Sequence, residues 1–161
     1  MMPRLDPSKA SPDAMKALLA LESFVQKCGL ERKLIHLVKT RASQINGCAF
    51  CLDMHAREAR ADGETEQRLY VLPAWRESPL YTERERAALA WTEALTLISK
   101  THAPDDVYEA ARAQFSETEL VNLTMVIVAI NGWNRLAIGF RRVHPVRVHA
   151  DETPVGEAKT A

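Results

Sequence analysis

The segment RASQINGCAFCLDMHAREA, residues 41–59, decides how this 161-residue chain folds. Asn46 and Gly47 stand between two stretches of helix-forming residues. Glycine and asparagine readily adopt the left-handed backbone conformation that ends a helix. The segment therefore predicts one helix over residues 31–43 and a second over residues 48–61, joined by a tight turn.

Helix signals continue on both sides of this turn. Ser11-Pro12-Asp13 has the pattern of a helix start, and residues 82–85 and 116–119 each have the spacing of a capping box. No stretch offers a partner strand for a sheet. The sequence therefore predicts an all-α fold, a single domain of six to seven helices. Besides the two above, these helices are expected over residues 12–28, 64–72, 82–99, 105–114 and 116–140.

The two ends of the chain differ from this helical pattern. Residues 1–10 are polar with two prolines and are expected to be irregular. Residues 143–161 contain prolines, a glycine and scattered charges, which predicts an extended or disordered tail. The preceding helix, residues 116–140, is apolar nearly all round, which is typical of a central helix or a subunit interface. We therefore expect a homo-oligomer whose single domain spans residues 1–161.

Composition argues against several classes of protein. Apolar residues make up 47% of the chain, and 21 basic residues balance 21 acidic ones. A zero net charge argues against a nucleic-acid binder, which needs a basic face. No apolar run approaches the roughly 20 residues that span a bilayer, and the first ten residues lack a secretory signal. Three cysteines, an odd number, do not suit a secreted disulfide scaffold, so a cytoplasmic location is expected.

Three reactive side chains repeat along the second helix. Cys48, Cys51 and His55 are spaced three and four residues apart, so they lie on one helix face. The free N–H groups at a helix start favour a thiolate, which is the reactive form of cysteine. A histidine can accept a thiol proton, and a second thiol can close a disulfide with an oxidised first one. This face therefore predicts thiol redox chemistry.

Other interpretations of the same residues remain open. Cys48, Cys51, His55 and His36 also make an acceptable Cys₂His₂ zinc set. The two cysteines could pack as small apolar side chains, which is the interpretation preferred for Cys28. The pair could also serve as a redox sensor or a disulfide oxidoreductase with little peroxidase turnover. The remaining histidines fall in loops or the tail, where solvation is expected: His102, His144 and His149.

Three stretches of the chain resemble a known family. They are RASQINGCAFCLDMHAREA (residues 41–59), residues 63–96 and NGWNRL (residues 131–136). Together they resemble the alkylhydroperoxidase D-like branch of the carboxymuconolactone decarboxylase superfamily. The resemblance implies an all-helical trimer or hexamer that reduces peroxides with two cysteines and no cofactor. A protein or small-molecule thiol would then re-reduce the disulfide.

The resemblance also implies roles for individual residues. Cys51 would attack the peroxide, Cys48 would resolve the product, and His55 would belong to a proton relay. The family commonly has a glutamate twelve residues before the first cysteine, where this chain has His36. His36 is therefore included among the expected catalytic residues, as a changed member of the relay. The family's best-studied type also has a histidine where this chain has Phe50.

Overall fold

The computed structural model describes residues 2–146, and every regular element in that range is helical. A short 3₁₀ turn, Leu72–Ala74, follows the fifth of nine α-helices. The α-helices are α1 (Pro7–Ala10), α2 (Pro12–Val25), α3 (Arg32–Asn46), α4 (Ala49–Ala61), α5 (Glu66–Val71), α6 (Glu83–Thr96), α7 (Ile98–Thr101), α8 (Asp105–Gln114) and α9 (Glu117–Gly139). The all-α prediction is therefore confirmed.

The seven predicted helices are all present, with ends displaced by a few residues, but the predicted count is too low. Two four-residue helices, α1 and α7, were not predicted. The expectation that residues 1–10 are irregular is wrong for Pro7–Ala10. The Asp6 carboxylate accepts a hydrogen bond from the Ser8 N–H at 3.0 Å, and Pro7 has the fixed φ that suits a first helical position. Residues 143–146 have no regular structure, and the rest of the predicted tail lies outside the described residues, as does His149.

The turn between α3 and α4 forms at the predicted place. Gly47 follows the last residue of α3 and has a φ of +69°, in the left-handed region that favours glycine. Its N–H donates to the carbonyl of Gln44, and the Cys48 N–H donates to the carbonyl of Ser43 at 3.0 Å. These bonds close the end of α3 and direct the chain straight into α4.

The core lies where α3, α6 and α9 pack against one another. Leu34 and Val38 from α3, Trp91 from α6, and Val126 and Ile127 from α9 are all buried there. Helices α2, α4 and α8 pack around this centre. The first turn of α4 therefore rests on α3 and α9, two helices held by the core.

By length and composition alone, helix α9 could cross a membrane. A search for unbroken apolar runs does not find it, because polar residues interrupt its apolar stretches. It contacts α2, α3, α4, α6 and α8, and Ile130 is fully buried. This is the environment of a core helix. Val121, Val128 and Ile138 on its outer side are exposed by 61%, 49% and 46%.

Candidate active site

Cys48 and Cys51 form a disulfide at the start of α4. Cys48 is the N-cap residue, and its sulfur accepts a hydrogen bond from the Cys51 N–H at 3.3 Å. Both residues are buried, with 1% and 2% of their surface exposed. The structure therefore places the pair at a helix N-terminus, as the sequence predicts, where backbone N–H groups stabilise negative charge on sulfur.

A buried amide network holds this turn against α9. The Asn134 side chain donates to the Ser43 hydroxyl at 3.0 Å and accepts from the Asn46 amide at 2.9 Å. The same Asn46 amide donates to the Asn131 side chain at 3.0 Å. Asn134 is completely buried. The NGWNRL segment thus fixes the residues that precede Cys48.

His55 lies one helical turn after Cys51 and is 4% exposed. Its Nδ1 is 2.9 Å from a carboxylate oxygen of Glu58, three residues further along α4. The hydrogen bond with His55 lowers the pKa of Glu58, and this outweighs the opposing effect of burial. The positive charge of nearby Lys39 lowers that pKa further. Glu58 is therefore an ionised carboxylate that orients His55.

His36 reaches the same region from α3. It is 7% exposed, and its Nε2 is 2.7 Å from a carboxylate oxygen of Asp62. One ring nitrogen of His36, one ring nitrogen of His55 and one Glu58 oxygen lie within 4.8 Å of one another. The structure therefore brings His36 next to the His55–Glu58 pair.

A buried ion pair lies beside this cluster. Lys39 is 1% exposed and donates to the carboxylate of Glu22, which also accepts from the Trp133 indole N–H at 3.0 Å. Burial alone would raise the pKa of Glu22, but hydrogen bonds from Lys39, Gln26 and Trp133 together lower it. Glu22 is therefore ionised and balances the buried ammonium.

A cavity of about 740 Å³ opens over the second cysteine. Cys51, His55, Glu58 and Glu22 line it, whereas Cys48 and His36 are not among its described lining residues. Most of the remaining wall is apolar and includes Leu5, Met15, Phe50, Met54, Trp133, Leu136 and Phe140. Cys51 is thus the cysteine that faces the cavity.

The Cys₂His₂ zinc set is not assembled in this oxidised form. Cys48 and Cys51 are bonded to each other, so neither sulfur is a free thiolate. The group of neighbouring ligand atoms instead comprises His36, His55 and Glu58. The histidines of the proposed set are therefore close together, but a carboxylate accompanies them.

Residues 12–94, which include α2 to α5 and most of α6, match the sequence profile named "Carboxymuconolactone decarboxylase family". The chain belongs to this family. A curated family relative is the uncharacterized protein YdfG of Bacillus subtilis, 41% identical over 138 residues that make up 86% of this chain and 94% of that protein.

Solved structures place the chain in the alkylhydroperoxidase D-like branch of the carboxymuconolactone decarboxylase family. A protein of unknown function from Agrobacterium tumefaciens, described as a candidate antioxidant defence protein AhpD, is 56% identical, with a TM-score of 0.88. The match covers 91% of this chain and all of that one. The debrominase Bmp8 shares the fold, with a TM-score of 0.77 at 20% identity over 85% of this chain and 74% of its own.

The sequence analysis did not predict several residues of the site. Glu58 could have been found, because it is three residues after His55 and must lie on nearly the same helix face. Asp62 stands at the end of α4 and meets His36 only through the packing of α3 on α4. Glu22 and Lys39 lie on different helices, and no spacing in the sequence connects them. Trp133 on α9 lines the cavity as well, and its position in the sequence gives no sign of this.

Proposed function

We propose that this protein is a thiol-dependent peroxidase whose reactive couple is the Cys48–Cys51 pair. One observation carries the proposal: the disulfide stands at a helix start, and Cys51 faces a cavity that also contains His55 and Glu58. A cavity-facing cysteine can meet a substrate, and its neighbour three residues earlier is close enough to form a disulfide with it.

The reaction begins with both cysteines reduced. The Cys51 thiol proton passes to His55, and the thiolate attacks one peroxide oxygen. The O–O bond breaks, the alkoxide takes a proton and leaves as an alcohol, and Cys51 becomes a sulfenic acid. Cys48 then attacks the Cys51 sulfur, and the disulfide forms with release of water. Two electrons have passed from two thiols to one peroxide, and an external dithiol returns them.

Glu58 supplies the carboxylate that the family commonly places where this chain has His36. Its carboxylate is 2.9 Å from His55 Nδ1, so it orients the ring and stabilises the imidazolium that forms after proton transfer. His36 is engaged with Asp62 instead. The relay carboxylate thus comes from α4 itself, and His36 has a supporting position.

The cavity favours an organic hydroperoxide as the substrate. Aromatic and aliphatic side chains form most of its wall, and burying an apolar group there removes it from water. The reductant is a dithiol or a small redox protein, consistent with a cytoplasmic location where thiols are kept reduced. A homo-trimer or homo-hexamer would cover the exposed apolar side chains of α9.

Steady-state reduction of cumene hydroperoxide with excess dithiothreitol tests the proposal. Wild type should turn over many times, and both Cys48→Ser and Cys51→Ser should lose this turnover. Cys28→Ser is the matched control, because Cys28 is the free cysteine and does not line the cavity. Turnover that persists in Cys51→Ser would refute the proposal. Stoichiometric oxidation of wild type without turnover would favour a redox sensor instead.

A further inference from the structure

We propose that His36, His55 and Glu58 form a binding site for a divalent transition-metal ion, best matched by Zn²⁺. One ligand atom from each residue lies within 4.8 Å of the others. Two histidines and one carboxylate are a set that binds zinc with a fourth position left open. The site uses neither cysteine, and its existence does not rest on the proposed function.

The spacing of these atoms is close to that of a tetrahedral site. Zinc–ligand distances of about 2.0–2.1 Å place two ligand atoms about 3.3 Å apart. His55 Nδ1 and the Glu58 carboxylate oxygen are already 2.9 Å apart. The widest pair needs to close by at most about 1.5 Å to reach this spacing. Glu58, with 48% of its side chain exposed, has the most freedom to rotate.

His36 is prepared to act as a ligand. Its Nε2 faces the Asp62 carboxylate at 2.7 Å, so Nε2 carries the proton and Nδ1 keeps its lone pair. Nδ1 is buried and has no hydrogen-bond partner in the described part of the chain. Buried polar atoms without partners are uncommon, and a metal ion would supply this one with a partner. A carboxylate on the other ring nitrogen is the usual support of a metal-bound histidine.

The open position faces the cavity. His55 and Glu58 both line it, so water or a ligand atom can reach the ion from that side. An ion on His55 Nδ1 would displace the proton that this nitrogen shares with Glu58. The neutral ring would then carry its proton on Nε2 and could no longer accept the Cys51 proton. Metal binding would therefore inhibit peroxide reduction, and this consequence alone rests on the proposed function.

Zinc titration of the chelator-treated full chain tests the site. The protein carries Cys28→Ser and has the Cys48–Cys51 disulfide formed, so that no thiol can act as a ligand. Isothermal titration calorimetry should show one ion per chain, with a dissociation constant of about 10 μM or below. Glu58→Gln and His36→Gln should each weaken binding at least about 10-fold, and Asp62→Asn about 10-fold.

The matched control is His102→Asn, which removes an exposed histidine far along the chain from the site. Its φ of +52° is one that asparagine tolerates, and zinc binding should not change. Circular dichroism of each variant checks that it is folded. Because the Glu58 side chain is half exposed, Glu58→Gln should leave the core intact. No stoichiometric binding to the oxidised protein would overturn the site, as would binding that survives both Glu58→Gln and His36→Gln.

Two further readouts separate this site from the alternatives. The visible spectrum of the Co²⁺ form should show nitrogen and oxygen ligation without a thiolate charge-transfer band. Zinc that binds only after the disulfide is reduced would assign the ion to the cysteines and overturn the proposal. Zinc binding without loss of peroxide turnover would retain the site and refute only the inhibition.

Discussion

Replacement of Glu22 by glutamine should reveal how strongly the buried Lys39 depends on its partner. The Lys39 side chain is 2% exposed, and that of Glu22 is 23% exposed. Removing one partner of a buried ion pair costs about 3–5 kcal/mol, because the remaining charge is left uncompensated. We expect about 3 kcal/mol for Glu22→Gln, since water partly reaches this site and the amide oxygen can still accept a hydrogen bond.

Urea unfolding at pH 7 measures this loss, and the thermal midpoint should fall by roughly 6–12 °C for a chain of this size. Lys39→Met is the matched variant. It removes the buried charge and leaves Glu22 with Gln26 and Trp133 as donors, so it should cost less than Glu22→Gln. An unfolding free energy of Glu22→Gln within about 0.5 kcal/mol of that of wild type would refute the reasoning. A larger loss of unfolding free energy in Lys39→Met than in Glu22→Gln would also refute it.

The same pair predicts a pH dependence of stability. The pKa of Glu22 is lowered from its ordinary value of 4.5 in the folded protein. The stabilisation is therefore fully present above that value and is lost as the pH falls through the lowered pKa. Protonated Glu22 resembles glutamine, so the unfolding free energies of wild type and Glu22→Gln should converge as the pH falls below about 4.5. Curves that stay parallel down to pH 3 would contradict this assignment.

Two further substitutions test the turn that holds the cysteines. Asn134→Ala removes a buried amide with partners on Ser43 and Asn46, so it should lower the unfolding free energy by about 2–3 kcal/mol. It should also slow disulfide formation in the reduced protein, measured by loss of free thiol; unchanged rates would show that the network does not position Cys48. Gly47→Ala meets no atom within 4 Å, so its cost should be the backbone penalty alone, about 1–2 kcal/mol by urea unfolding. A loss above about 3 kcal/mol would mean that packing matters there as well.

Local sequence patterns were sufficient for most of the fold. Capping boxes at Thr82 and Ser116 mark the starts of α6 and α9, because each pairs two side chains with two free backbone groups. Gly47 marks the turn because its left-handed φ favours glycine, which is also a local property of the chain. The helix at Pro7–Ala10 escaped prediction because a single turn leaves no periodic pattern to detect.

The candidate site could be predicted only in part. The face shared by Cys48, Cys51 and His55 follows from helical spacing alone. Asp62 pairs with His36 across two packed helices, and that contact depends on the tertiary fold. The cavity depends on the tertiary fold even more, because the cavity wall combines residues from the N-terminal segment, α2, α4 and α9.

The central claim is that a peroxide oxidises Cys51 and that Cys48 then closes the disulfide. Its most direct test mixes reduced protein with one equivalent of cumene hydroperoxide and follows the products by peptide mass spectrometry. Wild type should yield one equivalent of alcohol and the Cys48–Cys51 disulfide, and Cys48→Ser should accumulate a sulfenic acid at Cys51. Peroxide that remains unconsumed, or a sulfenic acid that forms at Cys48 in Cys51→Ser with equal speed, would contradict the account.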